Sequence, residues 1–533
     1  MLFTSYGFIA FFLCCFALYY VLPKRFQGIF LLAASYFFYL QGGLFYPLFL
    51  FLTTVTVYFA ACRMENIADQ REGWLKEHHA ELNREGRKAY KQQTKKRMKG
   101  IMLAALLLNL GILAVLKYSN FAIENINELL YLAGSEQEIT YVDWILPIGI
   151  SFYTFQAVGY LLDVYWSRIR AQRNFFKFAL FVSFFPQLSQ GPISRYGDLS
   201  GTLYAPHDFD WKNVRFGLER MLWGYFKKMV IADRIYPVVA MITEDPEYYT
   251  GAYVFLGMIF YAIQLYADFT GGIDITIGIA QVFGIRVQEN FIRPFFSKNI
   301  EEYWRRWHIS MGTWFRDYMF YPLSLSKPMK WLTSWTKKHF GMDAGKRASV
   351  YAATIIVWLA TGIWHGASWN FVMWGLMNGI VILISQELAP LYKRFHARFP
   401  KLCASRFYDG FQVVRTFLLM CSLRLFDNYE GVGAAFMAFI HMFTQLGESL
   451  PLLNAEEFSY FELAPADYVI VFFGVVLMLI VSLIQRRGSV REYVAAKPYP
   501  IRFVIFAGLF FAVLLFGTYG IGYDTSQFIY NQF

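Results

Sequence analysis

The sequence predicts an all-α polytopic membrane protein, and two observations carry this prediction. Apolar residues make up 57% of the 533 residues and charged residues only 16%, whereas soluble domains carry about 25% charged residues. The apolar residues also fall into blocks of about 20 residues or more, the length that crosses the hydrocarbon layer as a helix. This pattern excludes a soluble globular fold.

The apolar blocks define the candidate membrane spans. We expect about 11 to 13 of them to cross the bilayer, with the others re-entrant or buried. The first block has no basic segment before it and no cleavage site, so it is predicted to be a spanning helix. The block at 252–283 forms either one helix or two short ones. The candidate spans are residues 3–22, 27–41, 44–62, 101–118, 142–166, 177–193, 216–236, 252–283, 349–365, 368–388, 411–425, 431–446, 467–485 and 503–522.

Charge in the connecting segments predicts the orientation. The formal net charge is +11, and the basic residues cluster between apolar blocks, as in cytoplasmic loops. The segment 63–99 is densely basic and predicted to be a cytoplasmic loop, whereas 447–467 is acidic and is placed outside. The tail 522–533 is then extracytoplasmic. Membrane lipids, not nucleic acid, are the partners that this charge pattern indicates.

The five cysteines predict neither a metal site nor a disulfide framework. They form no CxxC pair, and all but Cys403 lie in or at the edge of apolar segments. No metal site is therefore expected.

The most informative segment is Glu301–Leu323, which is too charged for an ordinary span and too aromatic for a solvated loop. In a helical projection His308 is the only ionisable group on an apolar, aromatic face. The segment is either an amphipathic interfacial helix or a buried helix that lines a cavity. In the second case its arginines pair internally or hold an anionic substrate. The residues on the aromatic face are Trp304, Trp307, His308, Met311, Phe315 and Tyr318.

A second histidine, His365, lies in a run from Ala352 to Ile384 that contains no Asp, Glu, Lys or Arg. An ionisable residue at this depth indicates a functional site, although a packing histidine is the alternative. Neutral imidazole suits a general base near pH 7. Glycines 362, 366 and 375 are predicted to let neighbouring backbones approach closely.

A third cluster combines Gln264, Asp268 and Asp274 in one apolar segment. The two carboxylates could form a proton relay. They could equally be structural partners of arginines 293, 305 or 306, since buried charges require partners.

Five segments resemble the bacterial branch of the membrane-bound O-acyltransferase (MBOAT) family, the branch of the alginate O-acetylation protein AlgI and the D-alanyl transfer protein DltB. The combination of RRWHIS and WHGASW is highly specific, and the resemblance is weaker beyond Gly379. The matching segments are LPIGISFYTFQ (146–156), FFPQLSQGPISR (184–195), YAIQLYADFTGGIDITIGIAQVFGIR (261–286), ENFIRPFFSKNIEEYWRRWHISMGTWFRDYMFYPL (289–323) and WHGASWNFVMWG (364–375).

The resemblance implies one MBOAT domain over residues 1–533, with a catalytic core at about 142–385 and helices around a central tunnel. It implies that His365 is catalytic and that His308 assists or orients. Relatives often have a histidine where this chain has Asn378, which argues against a catalytic role there. The residues expected to line the tunnel or bind substrate are Trp304, Arg305, Arg306, Trp307, Trp364, Gln264, Asp268 and Asp274.

Residues 528–533, FIYNQF, resemble the FxYxxF motif of a small peptide that works beside DltB. In that peptide the tyrosine carries the acyl group as an ester, so the resemblance implies that Tyr530 is an acyl relay. The alternative is a polar tail with scattered aromatic residues.

The predicted function is transfer of an acyl group, most simply acetyl, from a cytoplasmic thioester to an extracytoplasmic polysaccharide. The donor would be acetyl-CoA or an acyl-carrier protein, with no bound cofactor. The expected partner is an extracytoplasmic serine-hydrolase-like (SGNH-type) acetyltransferase, and the expected location is the bacterial cytoplasmic membrane. Two alternatives stay open, D-alanyl transfer to teichoic acid and a membrane transporter or flippase.

Overall fold

The computed structural model describes residues 1–453, 457–461 and 463–519. Within these ranges the chain is helical and contains no strand. The all-α prediction is confirmed. The chain divides into two compact units, Met1–Arg215 with Ile279–Gln288 and Phe216–Gly278 with Glu289–Phe533. The single MBOAT domain stays a prediction.

The first unit contains both long and short α-helices. Ser5 caps the first helix by accepting a hydrogen bond from the backbone N–H of Phe8, and Asn83 caps the longest helix by accepting one from Gly86. The α-helices are Tyr6–Val21, Gln27–Leu40, Tyr46–Glu77, Arg84–Leu132, Ile150–Tyr165, Phe175–Ser183, Phe185–Leu188 and Tyr196–Leu203, with a 3₁₀ turn at Lys24–Phe26.

The second unit holds both histidine motifs. Two of its segments are π-helical, Phe226–Ala232 and Arg316–Phe320. The α-helices are Trp211–Tyr225 (from residue 216 on), Asp233–Glu244, Ala252–Val282 (to residue 278), Ile300–Arg306, Ile309–Phe315, Tyr321–Ser324, Lys327–Phe340, Met342–His365, Trp369–Glu387, Ala389–Arg398, Pro400–Cys403, Arg406–Leu423, Leu425–Asn428, Val432–Thr444, Leu446–Ser449, Glu457–Tyr460, Pro465–Ile484, Val490–Ala495 and Tyr499–Phe516, with 3₁₀ turns at Pro294–Phe296 and Leu450–Leu452.

Seven helices in the described ranges are long and apolar enough to cross a membrane, which supports the polytopic prediction. The segment predicted as one or two helices is a single helix, Ala252–Val282. The number of crossings, about 11 to 13, stays a prediction. The seven helices are Tyr46–Glu77, Arg84–Leu132, Ala252–Val282, Met342–His365, Trp369–Glu387, Pro465–Ile484 and Tyr499–Phe516.

The basic segment 63–99 is mostly helical, so its prediction as a loop is wrong. The helix Tyr46–Glu77 runs into it from one side, and the helix Arg84–Leu132 begins inside it. With 49 residues the second helix is about 74 Å long, more than twice the roughly 30 Å hydrocarbon layer. Its basic first turns can therefore lie outside the membrane while the same helix continues into it.

Two glycine crossings bring the predicted functional helices together. A methyl group on Gly375 would lie 3.0 Å from Cα of Gly362, so the helices Met342–His365 and Trp369–Glu387 touch backbone to backbone. A methyl group on Gly224 would lie 2.6 Å from the carbonyl oxygen of Gly271 in the next crossing. The close backbone approach predicted for glycines 362 and 375 is confirmed, whereas a methyl group on Gly366 would meet the ring of Phe371 and not a neighbouring backbone.

Candidate active site

His308 lies in a break between two short helices, so the continuous helix predicted over residues 301–323 is wrong. Trp307 is extended, and His308 has a left-handed backbone with φ +47°. The neighbouring segment 290–292 takes up the backbone groups that the break exposes. The N–H of Ile309 donates to the carbonyl of Asn290 (3.0 Å), and the N–H of Ile292 donates to the carbonyl of Arg306 (2.9 Å). Tertiary hydrogen bonds thus hold the backbone on both sides of His308.

Local chemistry explains the helix before the break, Ile300–Arg306. Asn299 caps it by accepting a hydrogen bond from the N–H of Glu302. Its first turn is acidic and its last turn basic, as the helix dipole favours. Arg306 pairs with Glu302 at 2.5 Å, and Arg305 lies 4.0 Å from Glu301. The internal pairing that the sequence allowed for these arginines is therefore present.

The imidazole of His308 is completely buried. The ring of Phe269 lies edge-on at 4.9 Å, and the indole of Trp364 lies 6.0 Å away. Nδ1 is 3.3 Å from Nδ2 of Asn290. His308 lies outside the seven candidate spans, and burial together with the positive charge of Arg424 lowers its pKa to about 3. The ring is therefore neutral at physiological pH.

His365 is the last residue of the helix Met342–His365 and is partly buried. Its ring centroid lies 6.4 Å from that of His308. The indoles of Trp364 and Trp374 each lie 4.9 Å from the His365 ring. The structure thus brings together the two histidines that the sequence selected from separate motifs.

The tryptophans of the site surround a buried arginine. The guanidinium of Arg424 lies 5.9 Å from the Trp304 ring, 5.0 Å from Trp307 and 5.3 Å from Trp374. It also forms a 2.5 Å ion pair with Asp427. A cation on three indole faces fixes the aromatic wall beside His365.

Sequence reasoning missed Asn290 and Arg424. Arg424 could have been found, because it is a single cation in the apolar run Phe417–Phe426. Asn290 could not, because its contact with His308 depends on how the chain folds back between residues 290 and 308. Both residues are almost entirely buried.

The carboxylates of the third cluster are ion-paired, but with other partners than predicted. Asp268 pairs with Lys228, which also lies 2.6 Å from Asp233. Asp274 pairs with Lys227 at 2.6 Å and with Arg220 at 2.8 Å. Arginines 305 and 306 are instead paired with glutamates of their own helix. The lysines were missed because the crossing at Gly224 and Gly271, which brings them to the carboxylates, cannot be read from spacing.

Gln264 lies one helical turn before Asp268 and is buried. Its Oε1 has no hydrogen-bond partner among the described residues. A polar cavity of about 60 Å³ lies beside Asp274, and its lining includes Arg220, Lys227 and Arg293. A relay role for this cluster and a substrate role for its members stay predictions.

The described residues contain no group of three or more His, Cys, Asp or Glu side chains that could hold a metal ion. Tyr530 and the tail 522–533 lie outside the described residues.

The family model and the similar proteins found by comparison all point to O-acyl transfer. The family model described as MBOAT, membrane-bound O-acyltransferase family, matches residues 167–336. A probable alginate O-acetylase of Azotobacter vinelandii is 33% identical over 73% of this chain and 69% of its own length. The corresponding protein of Pseudomonas aeruginosa is 30% identical over 89% of this chain and 81% of its own. A peptidoglycan O-acetyltransferase of Helicobacter pylori is 31% identical over 57% of this chain and 58% of its own.

Proposed function

Because the chain belongs to the membrane-bound O-acyltransferase family, we propose that this acyltransferase moves an acetyl group from a cytoplasmic thioester to an extracytoplasmic polysaccharide. The relatives named alginate O-acetylase and peptidoglycan O-acetyltransferase support acetyl as the group and a polysaccharide as the final acceptor. The donor is acetyl-CoA or an acetylated acyl-carrier protein. The location is the bacterial cytoplasmic membrane.

The observation that carries the proposal is the 6.4 Å separation of the His308 and His365 rings. In the proposed step His365 removes the proton of an acceptor hydroxyl, whose oxygen attacks the thioester carbonyl carbon. The resulting oxyanion collapses, an ester forms and the C–S bond breaks. The imidazolium of His365 returns its proton to the thiolate, which leaves as a thiol.

The acceptor hydroxyl in this proposal is the phenol of Tyr530. A phenol has a pKa near 10, so it requires a base to become a nucleophile at neutral pH. The acyl-tyrosine divides a difficult transfer into two steps. A serine-hydrolase-like (SGNH-type) acetyltransferase outside the membrane then takes the acetyl group and esterifies the polysaccharide. The FIYNQF motif supports this relay.

The catalytic role of His365 is tested by acetyl transfer in proteoliposomes supplied with radiolabelled acetyl-CoA or acetylated acyl-carrier protein. We expect His365→Ala to lower the rate by roughly 10² or more, since general-base catalysis contributes about that much. The matched control is His339→Ala. Because His339 is exposed, its replacement should leave the rate unchanged. A His365→Ala protein with the wild-type rate would disprove the proposed chemistry. Uptake of an unmodified solute without acetyl transfer would favour a transporter.

The relay is tested by intact-mass analysis of the protein after incubation with each donor. We expect one added acetyl group in the wild type and in Tyr523→Phe, and none in Tyr530→Phe. Cells that carry Tyr530→Phe should also lose polysaccharide acetylation. If they acetylate as the wild type does, Tyr530 is not the relay. If the protein gains a D-alanyl group from D-alanyl carrier protein and no acetyl group from either acetyl donor, the reaction is D-alanyl transfer.

A further inference from the structure

The orientation of the Asn290 side chain is determined by the backbone. Its Oδ1 accepts a 2.9 Å hydrogen bond from the N–H of Ser310. A backbone N–H can only donate, so the oxygen of the amide must face Ser310. The Nδ2 amino group then faces Nδ1 of His308, 3.3 Å away. The Asn290 side chain is fully buried, so water does not compete for these contacts.

The contact with Asn290 favours one tautomer of His308. An amide NH₂ group only donates, so Nδ1 of His308 must accept. In a neutral imidazole with an accepting Nδ1, the proton is on Nε2. Burial keeps the ring neutral at physiological pH, as its lowered pKa indicates. Nε2 itself has no hydrogen-bond partner within the described ranges.

We propose that Asn290 is a positioning residue that holds His308 as the Nε2–H tautomer, so that His308 donates a hydrogen bond to the thioester carbonyl oxygen while His365 acts as the base. This inference rests on the proposed acyl transfer and divides the work between the two histidines. His308 stabilises the oxyanion in the step given above and keeps its proton throughout. His365 alone takes and returns the transferred proton.

The physical reason for this division is that His308 is fully buried and lies near the positive charge of Arg424. A donor placed in advance where negative charge develops contributes more in a water-excluded site than in water. A base in the same place would have to become an imidazolium, which burial and the Arg424 charge both oppose. His365 is less deeply buried than His308, so burial opposes a transient positive charge on it less strongly.

The substitution Asn290→Asp distinguishes a hydrogen-bond donor at His308 from a base at His308. The two roles predict opposite changes of the relative transfer rate with pH. An ionised carboxylate can only accept, so it would require a proton on Nδ1 and leave Nε2 of neutral His308 without one. At low pH the carboxyl–imidazole pair holds an additional proton, and Nε2 can donate again. We therefore expect the rate relative to wild type to fall as pH rises, by about 10² at the alkaline end. A base at His308 would give the opposite trend, since the carboxylate would support an accepting Nε2. A relative rate that rises or stays constant from pH 5 to pH 9 would overturn the proposal.

A second pair of variants decides the question if Asn290→Asp does not fold. In His308→Gln the side-chain amide N–H reaches the place of Nε2, whereas in His308→Asn it reaches only that of Nδ1. The left-handed backbone at residue 308 favours Asn over Gln, so a purely structural role predicts the Asn variant to be better. The donor role predicts at least a 10-fold higher rate for His308→Gln. Equal rates, or a faster His308→Asn, would refute the donor role.

Different results would contradict the proposed acyl transfer and the assignment of the His308 tautomer. If the wild type transfers no acetyl group to Tyr530 or to any acceptor, the proposed function is wrong. If the wild type is active and His365→Ala is inactive but the His308 and Asn290 variants behave contrary to expectation, only the tautomer assignment is wrong.

Discussion

The buried imidazole of His308 makes stability depend on pH. Its folded-state pKa of about 3 lies below the ordinary value of about 6.5. Between these two values the unfolded chain binds a proton that the folded chain does not. Stability contributed by the neutral ring is therefore complete above about pH 6.5 and is lost as pH falls toward 3, with a slope of at most about 1.4 kcal/mol per pH unit.

This pH dependence can be measured as thermal unfolding of the purified protein in detergent. We expect the Tm of the wild type to fall more steeply between pH 7 and pH 4 than that of His308→Gln. Carboxylates titrate in both proteins, so the difference between the two curves isolates the histidine. Parallel curves would show that His308 does not carry this pH dependence.

Also at the scale of single residues, the sequence predicts those site residues that are ionisable and surrounded by apolar residues in sequence. His308 and His365 could be selected because each is the only ionisable group on an apolar face or in an apolar run. Asn290 is polar but uncharged, and its role depends on a contact across 18 residues of chain. Arg424 lies 59 residues beyond His365 in sequence. Its stacking on Trp304, Trp307 and Trp374 depends on helix packing, which periodicity does not predict.

At the scale of whole helices, the apolar pattern led to both correct and wrong predictions. The spans Met342–His365 and Trp369–Glu387 follow from apolar length. Their bounds agree with the predicted 349–365 and 368–388 within one residue, except that the first helix begins seven residues earlier, at Met342. The helix through residues 301–323 follows the same pattern but is broken at His308. Hydrogen bonds from residues 290–292 replace the helical ones there. Side-chain periodicity carries no information on such competition between backbone partners.

The crossing of the two glycine-bearing helices leads to a prediction about Gly375→Ala. The added methyl group would overlap the carbonyl oxygen of Trp358 and lie 3.0 Å from Cα of Gly362. Because both neighbours are backbone, the helices must separate, and His365 moves with its helix. We expect a lower Tm and at least a 10-fold loss of acetyl transfer, since small displacements of catalytic groups are costly.

Gly508→Ala is the matched control for this substitution. Gly508 also lies inside an apolar helix, but a methyl group there would meet nothing within 4 Å. Alanine has a higher helix propensity than glycine, so the control should keep its Tm and rate. If Gly375→Ala behaves like Gly508→Ala, the backbone contact does not position His365.

At the scale of the whole molecule, the sequence predicted the fold class but not how the helices continue beyond the membrane. Apolar length sufficed for an all-α polytopic protein, because an isolated span must satisfy its own backbone hydrogen bonds. The basic segment 63–99 was predicted to be a loop since charge ends a hydropathy block. Lys and Arg are nevertheless good helix formers, so the helix Arg84–Leu132 includes its basic first turns.

The orientation of the chain in the membrane is the prediction that belongs to this scale. The basic residues at 84–99 should be cytoplasmic, and the acidic segment 447–467 should face outward. Single cysteines at Lys91 and Glu448, both exposed, can test this after the five native cysteines are replaced by alanine. In intact cells a membrane-impermeant maleimide should label the cysteine at 448 and not the one at 91, whereas both should react after permeabilisation. The reverse pattern would contradict the predicted orientation, in which the basic helix lies on the cytoplasmic side from which the proposed thioester donor comes.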